Sequence, residues 1–330
     1  MKLVSMGDMA QTWALRRQNV SLNSEMLRLT QELSSGETTN IAQHLNGDLR
    51  YLSDVEHRGR TAQAYETAVS AAGGFAGAMQ AALETIQTGT ETLGADLLIG
   101  AGGTQGTRQA LAHSAEQKLH TIVSALNTSY AGRSLFAGDA TGSAALAPAQ
   151  EILSELRNVV AGEVTSDGIE AAVRDWFAAP DGFAAMGYLG STENLSPFRL
   201  GERDMIHLDL RADAPELRDL MADVALAALS ADYSTADVQT GLLKRAGNGL
   251  LQDQDNLTAL RADLGFAESR IEEIGAGIAA ERVSLNYARE ALLGVDEYEA
   301  ATRLENVQFQ LEALYTVTAR LSGLSLVDYL

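Results

Sequence analysis

Cysteine is absent from all 330 residues. Thiolate metal sites, thiol nucleophiles and disulfides are therefore excluded, and the chain could pass through an oxidising space without cross-linking. Proline is scarce: Pro148, Pro180, Pro197 and Pro215 all fall in one middle segment. Because proline is costly inside helices, both flanks are free to form long helices while the middle is broken into shorter elements. Aromatic residues make up only 5% of the chain, so aliphatic and alanine side chains must fill the core, as in helical bundles. Basic residues are outnumbered 24 to 44, for a net charge of −20 and a pI near 4.6. That surface repels phosphate backbones and anionic lipid, so nucleic acid is not an expected partner. No stretch reaches 18 apolar residues, the length that would argue for membrane insertion. The opening Met1-Lys2-Leu3-Val4-Ser5-Met6-Gly7-Asp8 lacks an apolar run, so no cleaved secretory signal is expected.

Against these absences stands one strong regularity. Leu243, Leu250, Leu257, Leu264, Ile271, Ile278, Leu285 and Leu292 recur at a strict seven-residue spacing. An α-helix brings i and i+7 onto one face, so these residues form a narrow apolar seam on a helix spanning roughly 75 Å. The companion position three residues on is weaker, reading Ala246, Asp253, Leu260, Ala267, Ile274, Glu281 and Ala288. A rod of this kind fits a structural or assembly protein better than a compact enzyme.

Similar stripes mark the flanks. Leu15, Leu22, Met26, Leu29 and Leu33 predict a first helix over about 7–34, closed by Gly36, since glycine adopts the left-handed cap conformation cheaply. Tyr65, Val69, Ala72, Ala76, Met79, Leu83 and Ile86 alternate in threes and fours on a second helix from about Asp48, and a third covers about 107–130. Beyond Gly294 the register breaks, and a fresh stripe runs through Leu304, Val307, Leu311, Leu314, Leu321 and Leu324. One stripe at each chain end predicts that the ends pair, leaving apolar surface for association.

The middle reads as short elements: helices at 149–161 and 168–178, a half-buried strand at 206–210, weaker strands at 187–189 and 198–200, and a hairpin turn at 201–204. Asp213 is placed to cap the helix that follows. The fold class is thus mainly α, a long antiparallel helical bundle or coiled coil from both chain ends with a small mixed α/β middle. The expected divisions are terminal helices (1–45 with 295–330), a rod (46–137 with 216–294) and a variable outer domain (138–215).

No chemistry-bearing constellation emerges. Leu97-Leu98-Ile99-Gly100-Ala101-Gly102-Gly103-Thr104-Gln105-Gly106 has the glycines of a phosphate-binding loop, but no second strand, ribose-binding acid or Walker lysine follows. It reads as a turn between antiparallel helices. His113 and His120 share a helix but lack a third ligand at metal-binding spacing, and His44, His57 and His207 are scattered. Ser-x-x-Lys and nucleophile-elbow patterns are missing. No catalytic residue, cofactor site or metal site is expected.

Three motifs carry a family resemblance. Glu32-Leu33-Ser34-Ser35-Gly36 resembles the leucine-serine-serine-glycine turn after the first helix of the bacterial flagellin superfamily. Tyr130-Ala131-Gly132-Arg133-Ser134-Leu135-Phe136-Ala137-Gly138 resembles that family's G-x-x-L-F-x-G stretch. The C-terminus is the most specific: Asp296-Glu297-Tyr298-Glu299-Ala300-Ala301-Thr302-Arg303-Leu304, then Ala313-Leu314-Tyr315, then Ala319-Arg320-Leu321-Ser322-Gly323-Leu324-Ser325-Leu326-Val327-Asp328-Tyr329-Leu330. Residues 38–48 depart from the asparagine- and aspartate-rich stretch of filament-forming flagellins and favour the related hook-associated proteins that join hook to filament. The resemblance implies a secreted structural subunit of the flagellum, exported by a type III route without signal cleavage. It implies self-association in a ring, contact with other hook-associated proteins and flagellin, and an export chaperone. It also implies that Leu15, Leu22, Met26, Leu29 and Leu33 meet Leu304, Val307, Leu311, Leu314, Leu321 and Leu324 within and between subunits. A flagellin that builds the filament and a cytoplasmic coiled-coil scaffold are the two alternatives.

Overall fold

The computed structural model describes residues 4–327, and side chains over 9–320. In chain order the helices and strands are α1 (Val4–Ser35), α2 (Ile41–His44), α3 (Arg50–Thr90), α4 (Leu93–Gly100), α5 (Gln105–Leu126), β1 (Ser129–Tyr130), β2 (Arg133–Ser134), α6 (Ala149–Val159), α7 (Ser166–Ala178), α8 (Phe183–Met186), β3 (Phe198–Arg199), β4 (Met205–Ile206), α9 (Pro215–Leu229), α10 (Ala236–Leu293) and α11 (Glu297–Val327). The fold is mainly α, with two antiparallel two-stranded sheets, β1–β2 and β3–β4. The chain divides into a terminal unit (1–63 with 279–330) and a central unit (64–278).

In the central unit, α3 and α10 run antiparallel. Gln254 donates to the Thr90 hydroxyl at 3.0 Å, Gln87 to Thr258 at 3.1 Å, and Arg261 to Gln87 at 2.7 Å. The heptad seam of α10 is buried here: Leu243, Leu250 and Leu257 are fully enclosed, and Leu264 and Ile271 nearly so. Small residues let the two helices approach closely, since a Cβ on Gly275 would lie 3.0 Å from Val69. Two glycines set a second crossing. A Cβ on Gly94 would lie 3.1 Å from the Gly247 carbonyl, and one on Gly247 would lie 2.8 Å from that of Gly94.

The centre of this unit is α9. From Leu220 to Leu229 every residue is buried and all but Asp223 are apolar, as expected of a helix surrounded by its core. Phe75, Met79, Leu83 and Ile86 of α3, Leu97 of α4, and Leu119, Ile122 and Leu126 of α5 belong to the same core. So do Ile152, Leu153, Ile169, Val173 and Phe183 from the middle segment.

The segment 130–138 is explained by its backbone. Ala131 and Gly132 both take positive φ, 49° and 78°, in the turn joining β1 to β2, the conformation that two-residue hairpins need. Gly138 also has positive φ, and a Cβ there would press on the carbonyls of Glu193 and Ser191. Between them Leu135 and Phe136 plug the core, and the Arg133 guanidinium lies 5.7 Å and 5.8 Å from the rings of Phe75 and Phe198.

The 97–106 segment joins two helices as read: 97–100 closes α4, and Thr104 caps α5 by accepting from the Thr107 N–H at 3.3 Å. Two local expectations change. Residues 206–210 alternate in burial, but pairing stops at Ile206, and 187–189 contributes only a bridge between Tyr188 and Leu146. Asp213 does not cap α9; Ala214 holds that position, and the Asp213 carboxylate accepts from Arg211 at 2.8 Å. The hairpin turn at 201–204 joins β3 to β4 as read.

Replacing the fully buried Leu119 by alanine should cost about 2–5 kcal/mol, through lost burial and the cavity left behind. Ile99→Ala, at a position 82% exposed, should stay within about 0.5 kcal/mol. Denaturant unfolding of the two variants checks the contrast.

Candidate assembly surface

In the terminal unit, α1 packs on α11. Leu22 and Leu29 are buried against Val307, Leu311 and Leu314, with Leu15, Met26 and Leu304 half-buried around them. Each buried leucine contributes about 1.5–3 kcal/mol. Leu33 is 37% exposed at the end of the stripe. The side chains of Leu321 and Leu324 lie outside the described residues. Asn23 donates to the Asn19 carbonyl and to its side-chain oxygen at 2.9 Å each, beside the otherwise aliphatic seam.

The Ser34-Ser35-Gly36 turn is fastened to the break between α10 and α11. Gly36 takes φ 72°, which lets the chain reverse after α1. Val295 N–H then donates to the Gly36 carbonyl at 3.0 Å, and Thr38 N–H to the Leu293 carbonyl at 2.8 Å. Arg289 forks onto both oxygens of the Glu37 carboxylate. Glu32 is 4% exposed, and its carboxylate accepts from the Thr39 N–H and hydroxyl at 3.0 Å each and from Arg28 at 2.7 Å. Burial works against its charge, but the Thr39 and Arg28 hydrogen bonds outweigh that and hold the carboxyl below its ordinary value of 4.5. Asp296 caps α11 by accepting from the Glu299 N–H at 3.0 Å.

The face of α1 turned away from α11 is also apolar. Trp13, Val20 and Leu27 are 75%, 65% and 67% exposed, and Met9 is 64% exposed one turn earlier. Trp13, Val20 and Leu27 each precede Leu15, Leu22 and Leu29 by two residues, about 200° around the helix. α1 therefore carries two opposite seams, one filled by α11 and one open to solvent. On α11, Tyr298 and Phe309 are exposed as well; eleven residues apart, they share a face. The sequence reading followed only the filled stripe. The seven-residue spacing of the second, in Trp13, Val20 and Leu27, was the signal available.

The remaining seam residues of α10 in this unit are Leu285, buried, and Leu292, half-buried beside the enclosed Leu293. Ile278, at the edge of the central unit, is half-buried. All five histidines are exposed. Among the described residues no group of three or more acidic, histidine or cysteine side chains could hold a metal ion, and no helix is long and apolar enough to cross a membrane.

Comparisons with known proteins bear on this surface. Residues 251–330 match the bacterial flagellin C-terminal helical region. A solved structure described as a "putative flagellar hook-associated protein from Vibrio parahaemolyticus" shares the fold, with a TM-score of 0.52 over 73% of this chain and 95% of that one, at 12% identity. No curated protein matches the sequence. The match over 251–330 bears out the resemblance to the flagellin superfamily read from the motifs.

Glu32→Ala should cost about 1–3 kcal/mol by leaving the Thr39 amide without its acceptor. Because the Glu32 pKa is lowered on folding, its contribution is present above 4.5 and is lost as pH falls through the folded value. Hydrogen exchange at Thr39, compared between wild type and variant at neutral and acidic pH, reads both effects.

Proposed function

We propose that this chain is a structural, non-enzymatic subunit of the bacterial flagellum, placed where hook joins filament. The observation that carries the reading is the doubly apolar helix α1. Its filled seam, Leu15, Leu22, Met26 and Leu29 on Leu304, Val307, Leu311 and Leu314, holds the two chain ends together. Its open seam, Met9, Trp13, Val20 and Leu27, is a surface for another helix. The flagellin C-terminal match over α11 and most of α10 and the hook-associated fold supply the setting.

In this mechanism, copies associate in a ring through the open seam. Each exposed side chain buried by a neighbour contributes about 1.5–3 kcal/mol, and summation around a ring offsets the repulsion between subunits of charge −20. Leu33, Leu321 and Leu324 are assigned to the same assembly interface. The eight-residue heptad seam from Leu243 to Leu292 stiffens the rod (46–137 with 216–294), and 138–215 forms the outer division. Other hook-associated proteins and flagellin are the neighbours along the axis, and an export chaperone covers the chain before type III secretion, without signal cleavage. A filament-forming flagellin would use the same seam. The departure at residues 38–48 favours the junction over that role, and the family match over 251–330 favours both over a cytoplasmic scaffold.

Quantitative mass spectrometry of purified flagella, with sheared filaments separated from hook–basal bodies, tests the placement. A small number of copies retained at the hook end is expected. Thousands of copies along the filament would indicate a flagellin, and absence from both fractions would contradict the proposal. In the same assay Leu27→Asp should fold as wild type, since the residue is exposed, but should drop out of the hook-end fraction.

A further inference from the structure

Two carboxyl groups lie inside the central unit where an aliphatic core would be expected. Asp223 on α9 is 2% exposed and Asp253 on α10 is 3% exposed. Asp253 occupies the companion heptad position, otherwise filled on this helix by residues such as Ala246 and Leu260. The Asp223 carboxyl lies against α10 at Gly249, close to Asp253, whose charge works against its ionisation. Arg174 of α7 donates to Asp223 at 2.8 Å. One oxygen of Asp253, Oδ2, is buried with no hydrogen-bond partner. Gly249, one turn before Asp253, leaves the space that the Asp223 carboxyl fills, and any Cβ there would collide with it.

The charges around the pair do not balance. α7 presents Asp167, Glu170 and Arg174, α9 presents Asp219 and Asp223, and α10 presents Arg245 and Asp253. Arg174 bridges Glu170 and Asp223, and Arg245 bridges Glu170 and Asp167. Two guanidinium groups thus serve five carboxyl groups. Two like charges in one dry site disfavour ionising both, and an ionised carboxylate can only accept hydrogen bonds, so the pair is held together by a proton on one of the two carboxyls.

We infer that Asp223 and Asp253 hold one shared proton in the folded protein at neutral pH, making residues 64–278 a proton-binding unit whose stability falls as pH rises. Burial is the main cause of the upward shift of both carboxyls, which takes Asp223 from 3.8 to about 8 and Asp253 from 3.8 to about 7. The folded pKa is raised, so the contribution is complete below 3.8, where the unfolded chain also holds its protons. It is lost as pH climbs through the folded value.

Unfolding of the full chain, followed by Trp176 fluorescence in a Trp13→Phe background, tests the inference. Between about pH 5 and 7 the folding constant of the central unit should fall by up to about tenfold per pH unit, the slope of one proton. Asp253→Asn should flatten that slope, because its amide donates to Asp223 at every pH. A flat wild-type profile, or an unchanged slope in Asp253→Asn, would overturn the inference. If the variant does not fold, the infrared band of a protonated carboxyl in the wild-type protein at neutral pH decides. Its presence is expected, and its absence refutes the shared proton.

Discussion

The terminal unit depends on one helix doing two jobs. α1 buries Leu22 and Leu29 on α11 while showing Trp13, Val20 and Leu27 to solvent. Two helices in contact bury one face each, and a face left apolar at heptad spacing is surface that has a cost in water. The turn at Ser34-Ser35-Gly36 makes the arrangement specific. It is tied through Gly36, Thr38 and Glu37 to Val295, Leu293 and Arg289, so residues far apart in sequence close on each other and set where α11 begins. The motif at the N-terminal end and the break at the C-terminal end are therefore two halves of one joint.

The central unit follows a different rule. Its core relies on alanine, glycine and leucine, so helices approach closely at Gly94 and Gly247 and at Val69 and Gly275. Close packing of small residues suits a rigid body built with few aromatics. The few rings are spent at the junction with the middle segment, where Phe75 tilts against Phe198 and Trp176, Phe177 and Phe183 cluster. Within that economy a buried acidic pair is conspicuous. Hydrophobic residues in its place would pack without desolvating charge, which is why a proton, rather than packing, accounts for it.

Helical periodicity made most of this legible before any coordinates. Large aliphatics at strict sevens announce α10, and the stripes of α1, α3 and α11 follow from threes and fours. What escaped has physical causes. The open stripe of α1 mixes Met, Trp, Val and Leu, and a reading that looks for one apolar face per helix stops after finding Leu15, Leu22 and Leu29. The strands shrank because alternation at 206–210 reports burial, not pairing, and no neighbouring strand extends past Phe198. Asp213 failed as a cap because Arg211, two residues away, is a stronger partner for its carboxylate. Asp253 was visible as a misfit in the heptad; its partner Asp223 was not, since periodicity cannot say which residue of α9 would face it.

Absence of cysteine gives the most direct test of the open seam as the contact between copies. A single Leu27→Cys variant, incorporated into flagella and treated with a short thiol cross-linker, reports what lies against that face. Covalent dimers of this chain are expected in the assembled flagellum and none in dilute monomer, with Leu22→Cys in the filled seam giving none in either. A Leu27 thiol that stays monomeric and freely alkylated in the assembled flagellum would contradict it.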